Sequence, residues 1–122
     1  MKAQLKEMLN KVMISVENKD DEALIFTDNY NNRYIFYHEQ DCCESVLIED
    51  ITGELENLLN SPILVAEERI DEDLTSESSD EYTSVWTFYE FATNKGSVTV
   101  RWYGSSNGYY SEDVNFKIIL AK

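Results

Sequence analysis

The sequence predicts an α+β domain with a mostly antiparallel sheet of about six or seven strands and two short helices. Runs of β-branched and aromatic residues alternate with polar residues through most of the chain, which is typical of strands. Clusters of Asn, Asp and Gly separate these runs and favour turns. Two other stretches have apolar residues at helical spacing. At 122 residues the chain has the size of one domain, so we expect a single domain over residues 1–122.

The N-terminal third predicts a short amphipathic helix followed by a three-stranded meander. The helix is indicated by apolar residues that repeat every three or four positions, namely Leu5, Met8, Leu9, Val12 and Met13. Strands are predicted at residues 12–16, 22–28 and 33–39, with turn-forming Asn and Asp residues between them. We expect one apolar face to be shared by Leu24, Phe26, Ile35 and Tyr37.

The middle of the chain predicts a second helix, a further strand and an acidic loop. Residues 52–59 have helical spacing, with Thr52 as the N-cap and Pro62 beyond the end of the helix. The sequence of residues 63–70 predicts a strand. Eight of the fifteen residues from Glu67 to Glu81 are acidic, and we expect a solvated, mobile loop at about residues 71–81. The other interpretation of the acidic stretch is a contact with a basic partner.

The C-terminal third predicts three strands, at residues 82–93, 97–103 and 113–120. The last two are separated by Gly, Ser and Asn residues, so they are expected to form a hairpin whose turn reaches positive φ at Gly104 or Gly108. Apolar and aromatic side chains occupy both faces of the 82–93 strand. That strand is therefore either central in the sheet or in contact with another subunit, and we expect a homo-oligomer.

The charge of the chain narrows the classes of partner. With 24 acidic and 10 basic residues the formal net charge is -14, which works against binding a nucleic acid polymer because such binding depends on Lys and Arg displacing counterions. No apolar run is long enough for a membrane span, and the N-terminus lacks the apolar region of a signal peptide. We therefore expect a cytoplasmic protein that binds no membrane. The adjacent Cys42 and Cys43 are expected to be reduced thiols.

A polar cluster at His38, Asp41, Cys42, Cys43 and Glu44 has titratable groups but no evident catalytic set. Zinc needs about four ligands, and adjacent cysteines seldom both bind one ion, so we predict no metal. A Cys–His nucleophile would need a third group to orient the base and an oxyanion hole, which the sequence does not reveal. We favour a structural interpretation, in which the polar groups tie a loop to the sheet and Cys42 or Cys43 is buried. The role of His38 stays open.

The segment from Arg101 to Ser111 combines an arginine with aromatic rings and small polar residues. An Arg fork holds a phosphate bidentately and aromatic rings stack on a base, which are the two needs of a nucleotide ligand. Two alternatives are an aromatic hairpin packed on its own core, and a cross-strand ion pair between Arg101 and a carboxylate. The predicted ligand-binding residues are Arg101, Tyr103, Ser105, Asn107, Tyr109 and Tyr110.

Several sequence motifs of the chain resemble those of a family of small proteins encoded by phages and prophages. The resemblance extends over about residues 33–118. The motifs are His-x-x-Asp-Cys-Cys-Glu at 38–44, followed by residues 48–51 and 53–55, and later 101–104 and 107–111. In size and make-up the chain is similar to the Thoeris anti-defence protein 1 family. That resemblance implies a sponge that binds a cyclic ADP-ribose isomer made by a bacterial immune enzyme, without cleaving it. It also implies dimers assembled into hexamers, pockets between subunits and, in some members, sites for cyclic oligonucleotides.

The sequence thus predicts a non-enzymatic phage anti-defence sponge for a small cyclic nucleotide, with no cofactor. The competing hypothesis is an acidic inhibitor that mimics nucleic acid and occupies the basic groove of a host defence nuclease, which accounts for the net charge and the acidic stretch. A third is a hydrolase that uses His38 and nearby carboxylates to convert a nucleotide.

Overall fold

The computed structural model of the chain describes residues 4–73, 83–106 and 110–122. Within these residues eight strands form two four-stranded sheets, accompanied by two 3₁₀ helices of four residues each. The elements in chain order are η1 (Leu5–Met8), β1 (Met13–Lys19), β2 (Ala23–Asp28), β3 (Arg33–Tyr37), β4 (Ser45–Thr52), η2 (Leu55–Leu58), β5 (Val65–Asp73), β6 (Thr83–Thr93), β7 (Gly96–Ser106) and β8 (Asn115–Ile119).

The two sheets contain only antiparallel neighbours. Sheet A has the order β1-β2-β3-β8, and sheet B has the order β4-β7-β6-β5. The expected antiparallel architecture and the N-terminal meander are confirmed. One sheet of six or seven strands is wrong, because the described strands number eight and divide between two sheets. The predicted helices are single 3₁₀ turns, and no described helix is long and apolar enough to cross a membrane.

The first predicted helix ends early because its later apolar positions belong to a strand. Asn10 takes a φ of 68°, and Met13 begins β1 with its side chain fully buried. The second helix also begins later than expected. Thr52 is the last residue of β4 and not an N-cap, and Gly53 turns the chain with a φ of +104°. A Cβ at Gly53 would lie 2.5 Å from the carbonyl oxygen of Ser97, so this position requires glycine.

The core lies between the two sheets and is rich in aromatic rings. The Phe26 ring of sheet A lies 5.1 Å from the Phe91 ring of sheet B, and the Phe36 ring lies 4.8 Å from the Tyr89 ring. Side chains at most 2 % exposed form its centre: Met8, Met13, Leu24, Phe26, Tyr34, Phe36, Leu58, Ile63, Tyr89, Phe91, Val98, Val100 and Trp102.

The prediction of the apolar face is confirmed for β2 and wrong for β3. Leu24 pairs with Phe36 and Phe26 with Tyr34, and residues directly opposite on antiparallel strands share a face. Tyr34 and Phe36 are therefore the buried residues of β3, whereas Ile35 and Tyr37 point to the other face. Composition could not distinguish the two faces, because all four residues are apolar or aromatic.

The predicted hairpin of the last two strands is wrong. β7 pairs with β4 and β6 in sheet B, whereas β8 pairs with β3 in sheet A, so the connection crosses between the sheets. The crossing segment lies against Gly104, where a Cβ would be 2.9 Å from the carbonyl oxygen of Glu112. Gly104 thus permits close approach within a strand and does not form a turn, while Gly108 lies outside the described residues.

The acidic stretch begins as a strand and not as a loop. β5 continues to Asp73, and its residues 71–73 pair with residues 84–86 of β6. Residues 74–81 of the predicted loop lie outside the described residues. β6 lies between β5 and β7, which confirms the prediction of a central strand. Its alternate residues Thr87, Tyr89 and Phe91 face the core.

Candidate functional site

The outer face of sheet B carries three of the predicted ligand-binding residues. Trp102 and Val100 of β7 are buried, so Arg101, Tyr103 and Ser105 project from the opposite side of the strand. The predicted grouping of Arg101 with Tyr103 on one strand face is confirmed. We call this surface the outer face, and it also includes Leu47 and Glu49 of β4, Glu67, Arg69 and Asp71 of β5, and Trp86, Phe88 and Glu90 of β6.

Arg101 is held by neighbours on both adjacent strands. Its Nη2 donates a hydrogen bond of 2.7 Å to Glu49 Oε1, and its guanidinium carbon lies 5.1 Å from the centre of the Trp86 ring. The Trp86 ring in turn lies 4.5 Å from that of Tyr103. The alternative of a cross-strand ion pair is therefore what the structure shows. Because the two charged side chains are 39 % and 44 % exposed, the pair contributes only about 0.2–1 kcal/mol.

A second arginine and ring lie beside the first. Arg69 has its guanidinium carbon 4.1 Å from the centre of the Phe88 ring, and its Nη1 donates a bond of 2.9 Å to Asp71. Sequence reasoning did not assign Arg69 or Phe88 to the site. The alternation of β6 placed Trp86 and Phe88 on one side, but only the pairing of β5 with β6 brings Arg69 opposite Phe88.

Carboxylates surround the rings of the outer face. A surface cavity of about 250 Å³ is lined by Glu67, Glu68, Arg69, Phe88, Glu90 and Thr99. Both arginines of the face already bond a carboxylate, at Glu49 and Asp71. An anionic ligand would have to displace these partners, whereas a cationic group would meet the carboxylates of Glu67 and Glu90 next to the Phe88 ring.

Of the other predicted ligand-binding residues only Tyr110 lies within the described part of the chain, and its backbone lies away from Arg101. The carbonyl oxygen of Tyr110 accepts a bond of 3.2 Å from the Ser106 hydroxyl. Ser106 is buried and lies on the face of β7 opposite to Ser105. The Tyr110 backbone is therefore on the core side of the sheet. Asn107 and Tyr109 lie outside the described residues.

The polar cluster of residues 38–44 folds around the carboxylate of Glu44, whose side chain is fully buried. Oε2 accepts bonds from His38 Nε2 at 2.7 Å and from the Asp41 backbone at 2.8 Å, and Oε1 accepts one from the Cys42 backbone at 2.9 Å. Gln40 closes the loop with a bond of 2.6 Å to the Glu44 carbonyl oxygen. We call this arrangement the Glu44 clamp, and it confirms that polar groups tie the loop to the sheet.

The pKa of Glu44 follows from the partners of its carboxylate. Burial raises the pKa of Glu44, but hydrogen bonds from His38, Cys42 and Asp41 outweigh burial and lower the pKa to about 2. His38 Nδ1 lies 2.7 Å from the carbonyl oxygen of Asp113. Both ring nitrogens of His38 therefore lie within hydrogen-bond distance of oxygen atoms, one in Glu44 and one in Asp113.

The cysteines differ from the prediction in two ways. Cys42 and Cys43 are joined by a disulfide bond and are not reduced thiols. Both residues are also exposed, so neither packs as a small apolar residue. The two cysteines are exposed because the loop bends tightly around the Glu44 carboxylate, which turns residues 42 and 43 outward. Within the described ranges, no group of three or more His, Cys, Asp or Glu side chains is placed to hold a metal ion.

A cavity of about 400 Å³ lies beside the Glu44 clamp, lined by His38, Glu39, Gln40, Asp41, Glu44, Ser111 and Asn115. Its most buried polar groups, the His38 ring and the Glu44 carboxylate, already bond each other. The Asn115 side chain accepts a bond of 2.9 Å from the Glu39 backbone. These contacts describe a loop fixed to the edge of sheet A, and we assign the clamp a structural role.

Comparison with known families gives a match that spans most of the chain. The model of a domain of unknown function, DUF7448, matches residues 6–116. The chain belongs to the DUF7448 family. The matched span contains both the outer face and the Glu44 clamp. The family description states no activity, so the similarity to Thoeris anti-defence proteins stays a prediction for this DUF7448 member. No curated protein and no solved structure matches the chain.

Proposed function

We propose that this protein acts by binding, and that its outer face engages a basic surface of another protein. The observation that carries the proposal is the ion pair of Arg101 with Glu49 at 2.7 Å, because it neutralises the arginine expected to attract an anion. The carboxylates of Glu67 and Glu90 lie on the same face, next to the Phe88 ring. A cationic partner meets both charge attraction and ring faces there.

The net charge of the whole chain also supports binding of a basic partner. A net charge of -14 accelerates encounter with a basic partner and slows encounter with an anion. A basic, nucleic-acid-binding groove of another protein has the matching chemistry. This proposal favours the acidic inhibitor over the sponge, and it needs no catalytic group on the chain.

Charge-reversal variants test whether the position of the acids matters. We would compare Glu67→Lys/Glu90→Lys, on the outer face, with Glu17→Lys/Glu22→Lys, which makes the same change of net charge on exposed residues of the β1–β2 hairpin. The probe is a labelled peptide of alternating lysine and serine, and its affinity is measured by fluorescence anisotropy at several salt concentrations.

The outer-face variant is expected to lose about tenfold more affinity than the hairpin variant, since local charges dominate within a Debye length of about 8 Å at physiological salt. Binding to the wild type is expected to weaken as salt rises. Equal losses in the two variants would mean that the peptide responds only to net charge, and the outer face would lose its assignment.

We keep sequestration of a cyclic nucleotide as a second candidate, because the outer face does bring an arginine and rings together. Trp86 and Tyr103 lie next to Arg101, and the buried Nε of Arg101 has no hydrogen-bond partner within the described residues. An unused donor beside two rings suits a phosphate and a base. The predicted homo-oligomer belongs to this candidate, since a second subunit would complete an open face.

Retention of a small molecule separates the two candidates. The protein is incubated with cyclic ADP-ribose isomers and with cyclic di- and trinucleotides, freed of unbound ligand and denatured, and the released compounds are identified by mass spectrometry. If the protein is a sponge, the wild type should release intact ligand and Arg101→Ala should release little. The control Arg33→Ala, which changes an exposed arginine of sheet A, should release as much ligand as the wild type. Absence of any retained nucleotide would remove this candidate.

A further inference from the structure

The outer strand of sheet B presents an open edge. β5 ends the strand order β4-β7-β6-β5, and no strand within the described part of the chain pairs with its other side. η1 contacts β5, where Val65 and Ala66 are half-buried, whereas residues 67–71 are exposed. In an edge strand alternate backbone N–H and C=O groups point away from the sheet and are available to another strand.

The side chains of β5 determine which strand fits this edge. Five of its nine residues are acidic, and its one arginine is neutralised by the bond of Arg69 to Asp71. A second copy of the chain would place acidic residues against acidic residues, and like charges directly opposite each other destabilise a strand pair. The edge therefore disfavours self-pairing and favours a strand that carries lysine or arginine.

The two sides of β5 differ, and the difference sets a pattern for the partner. Glu67 and Asp71 lie on the outer face with Arg69. Ile70 lies on the opposite side of the strand and is 52 % exposed, although it is a large apolar residue. Its neighbour on that side is Glu68, whose carboxylate accepts a bond of 2.7 Å from the Tyr89 hydroxyl. A strand added to this edge would thus place its basic residues on the outer-face side and its apolar residues beside Ile70.

We propose that the β5 edge, from Glu67 to Asp73, accepts an extended segment of the partner protein as a fifth strand of sheet B, with basic and apolar residues alternating along that segment. This inference rests on the proposed binding of a basic protein and names its mode. Main-chain hydrogen bonds supply affinity in strand addition, and the alternating side chains supply specificity.

Two peptides of equal charge test the binding mode. The first alternates lysine and valine. The second has the same sequence but is N-methylated at every second residue, on the backbone edge that would face β5. Methylation removes the backbone N–H donors of that edge and keeps every charge. Affinity is measured by fluorescence anisotropy, and hydrogen exchange of the β5 amides is followed by NMR on the full chain.

The unmethylated peptide is expected to bind about tenfold more tightly than the methylated one and to slow exchange of the outward amides of residues 67–71. Ile70→Ala should weaken the unmethylated peptide, whereas Ile14→Ala, an exposed apolar residue of β1, should not. Equal affinity of both peptides would overturn strand addition and leave the basic-partner proposal standing. Failure of both to bind would overturn the two proposals together.

Discussion

Replacing Gly104 with alanine tests the crossing of the chain between the sheets. A Cβ at this position would lie 2.9 Å from the Glu112 carbonyl oxygen, 3.0 Å from its Cβ and 3.2 Å from Val46 Cγ2. The nearest of these is a backbone atom, which has no rotamer by which to move aside. The carbonyl would have to retreat by about 0.5 Å or more to reach an ordinary van der Waals separation.

Such overpacking of a filled site costs about 1–3 kcal/mol of unfolding free energy. For a domain of this size the cost corresponds to a decrease in Tm of about 4–12 °C. We would measure the unfolding free energy of Gly104→Ala by urea titration and its Tm by calorimetry. An unchanged m-value would show that the variant changes stability without changing the surface exposed on unfolding.

The matched control is Ser105→Ala, one residue further along β7 and on the outer face. It removes a hydroxyl from a half-buried position without adding an atom, and its effect should stay within about 0.5 kcal/mol. If Gly104→Ala were equally neutral, the Glu112 backbone would not lie against β7. The reasoning that replaced the predicted hairpin by a crossing would then be refuted.

Three further outcomes follow from single contacts. Tyr34→Phe should lower the free energy of unfolding by about 1.5–3 kcal/mol, because it removes a hydrogen bond of 2.8 Å to the buried carboxylate of Asp28. The control is Tyr30→Phe, which changes an exposed side chain. Equal urea midpoints for the two variants would contradict the assignment. Since the pKa of Glu44 is lowered from 4.5 to about 2, its stabilising contribution is complete above pH 4.5 and decreases as the pH falls towards 2. The protection factors of the amides that bond its carboxylate, which are exchange rates corrected for the intrinsic pH dependence of amide exchange, should fall over that range in the wild type but not in Glu44→Gln. A flat wild-type profile of protection factors would count against the clamp. Arg101→Ala should cost about 1 kcal/mol or less in urea unfolding, and a loss above 2 kcal/mol would reveal a buried network instead of a half-exposed pair.

The positions of the strands could be predicted from the sequence because strand formation leaves a local signal. Alternation of side chains located β2, β3, β6 and β7 to within a few residues, and Asn and Asp marked the turns between the first strands. The outer face of β7 could also be predicted, since Arg101 and Tyr103 are two residues apart.

Partner choice between strands could not be predicted from the sequence. A glycine-rich segment between two strands favours a hairpin locally, but β8 instead pairs with β3 in sheet A, where the Phe116 ring lies 4.7 Å from the Phe36 ring. Likewise, nothing near Arg101 in the sequence shows that Glu49 lies beside it, because the pair is separated by 52 residues and depends on the β4–β7 register. Long-range pairing decided both the topology and the charge of the site.

The position of the acids, and not their number, connects the fold to the proposed binding. Charges more than about 8 Å apart are largely screened at physiological salt, so most of the net charge cannot act at one surface. Successive residues of β5 lie about 3.2–3.4 Å apart and alternate between the two faces of the strand, so a segment paired with that edge would meet carboxylates on both faces. The same carboxylates repel an identical edge. In the proposed binding mode, the acidic residues of β5 therefore disfavour pairing with a second copy at this edge and favour a strand of opposite charge.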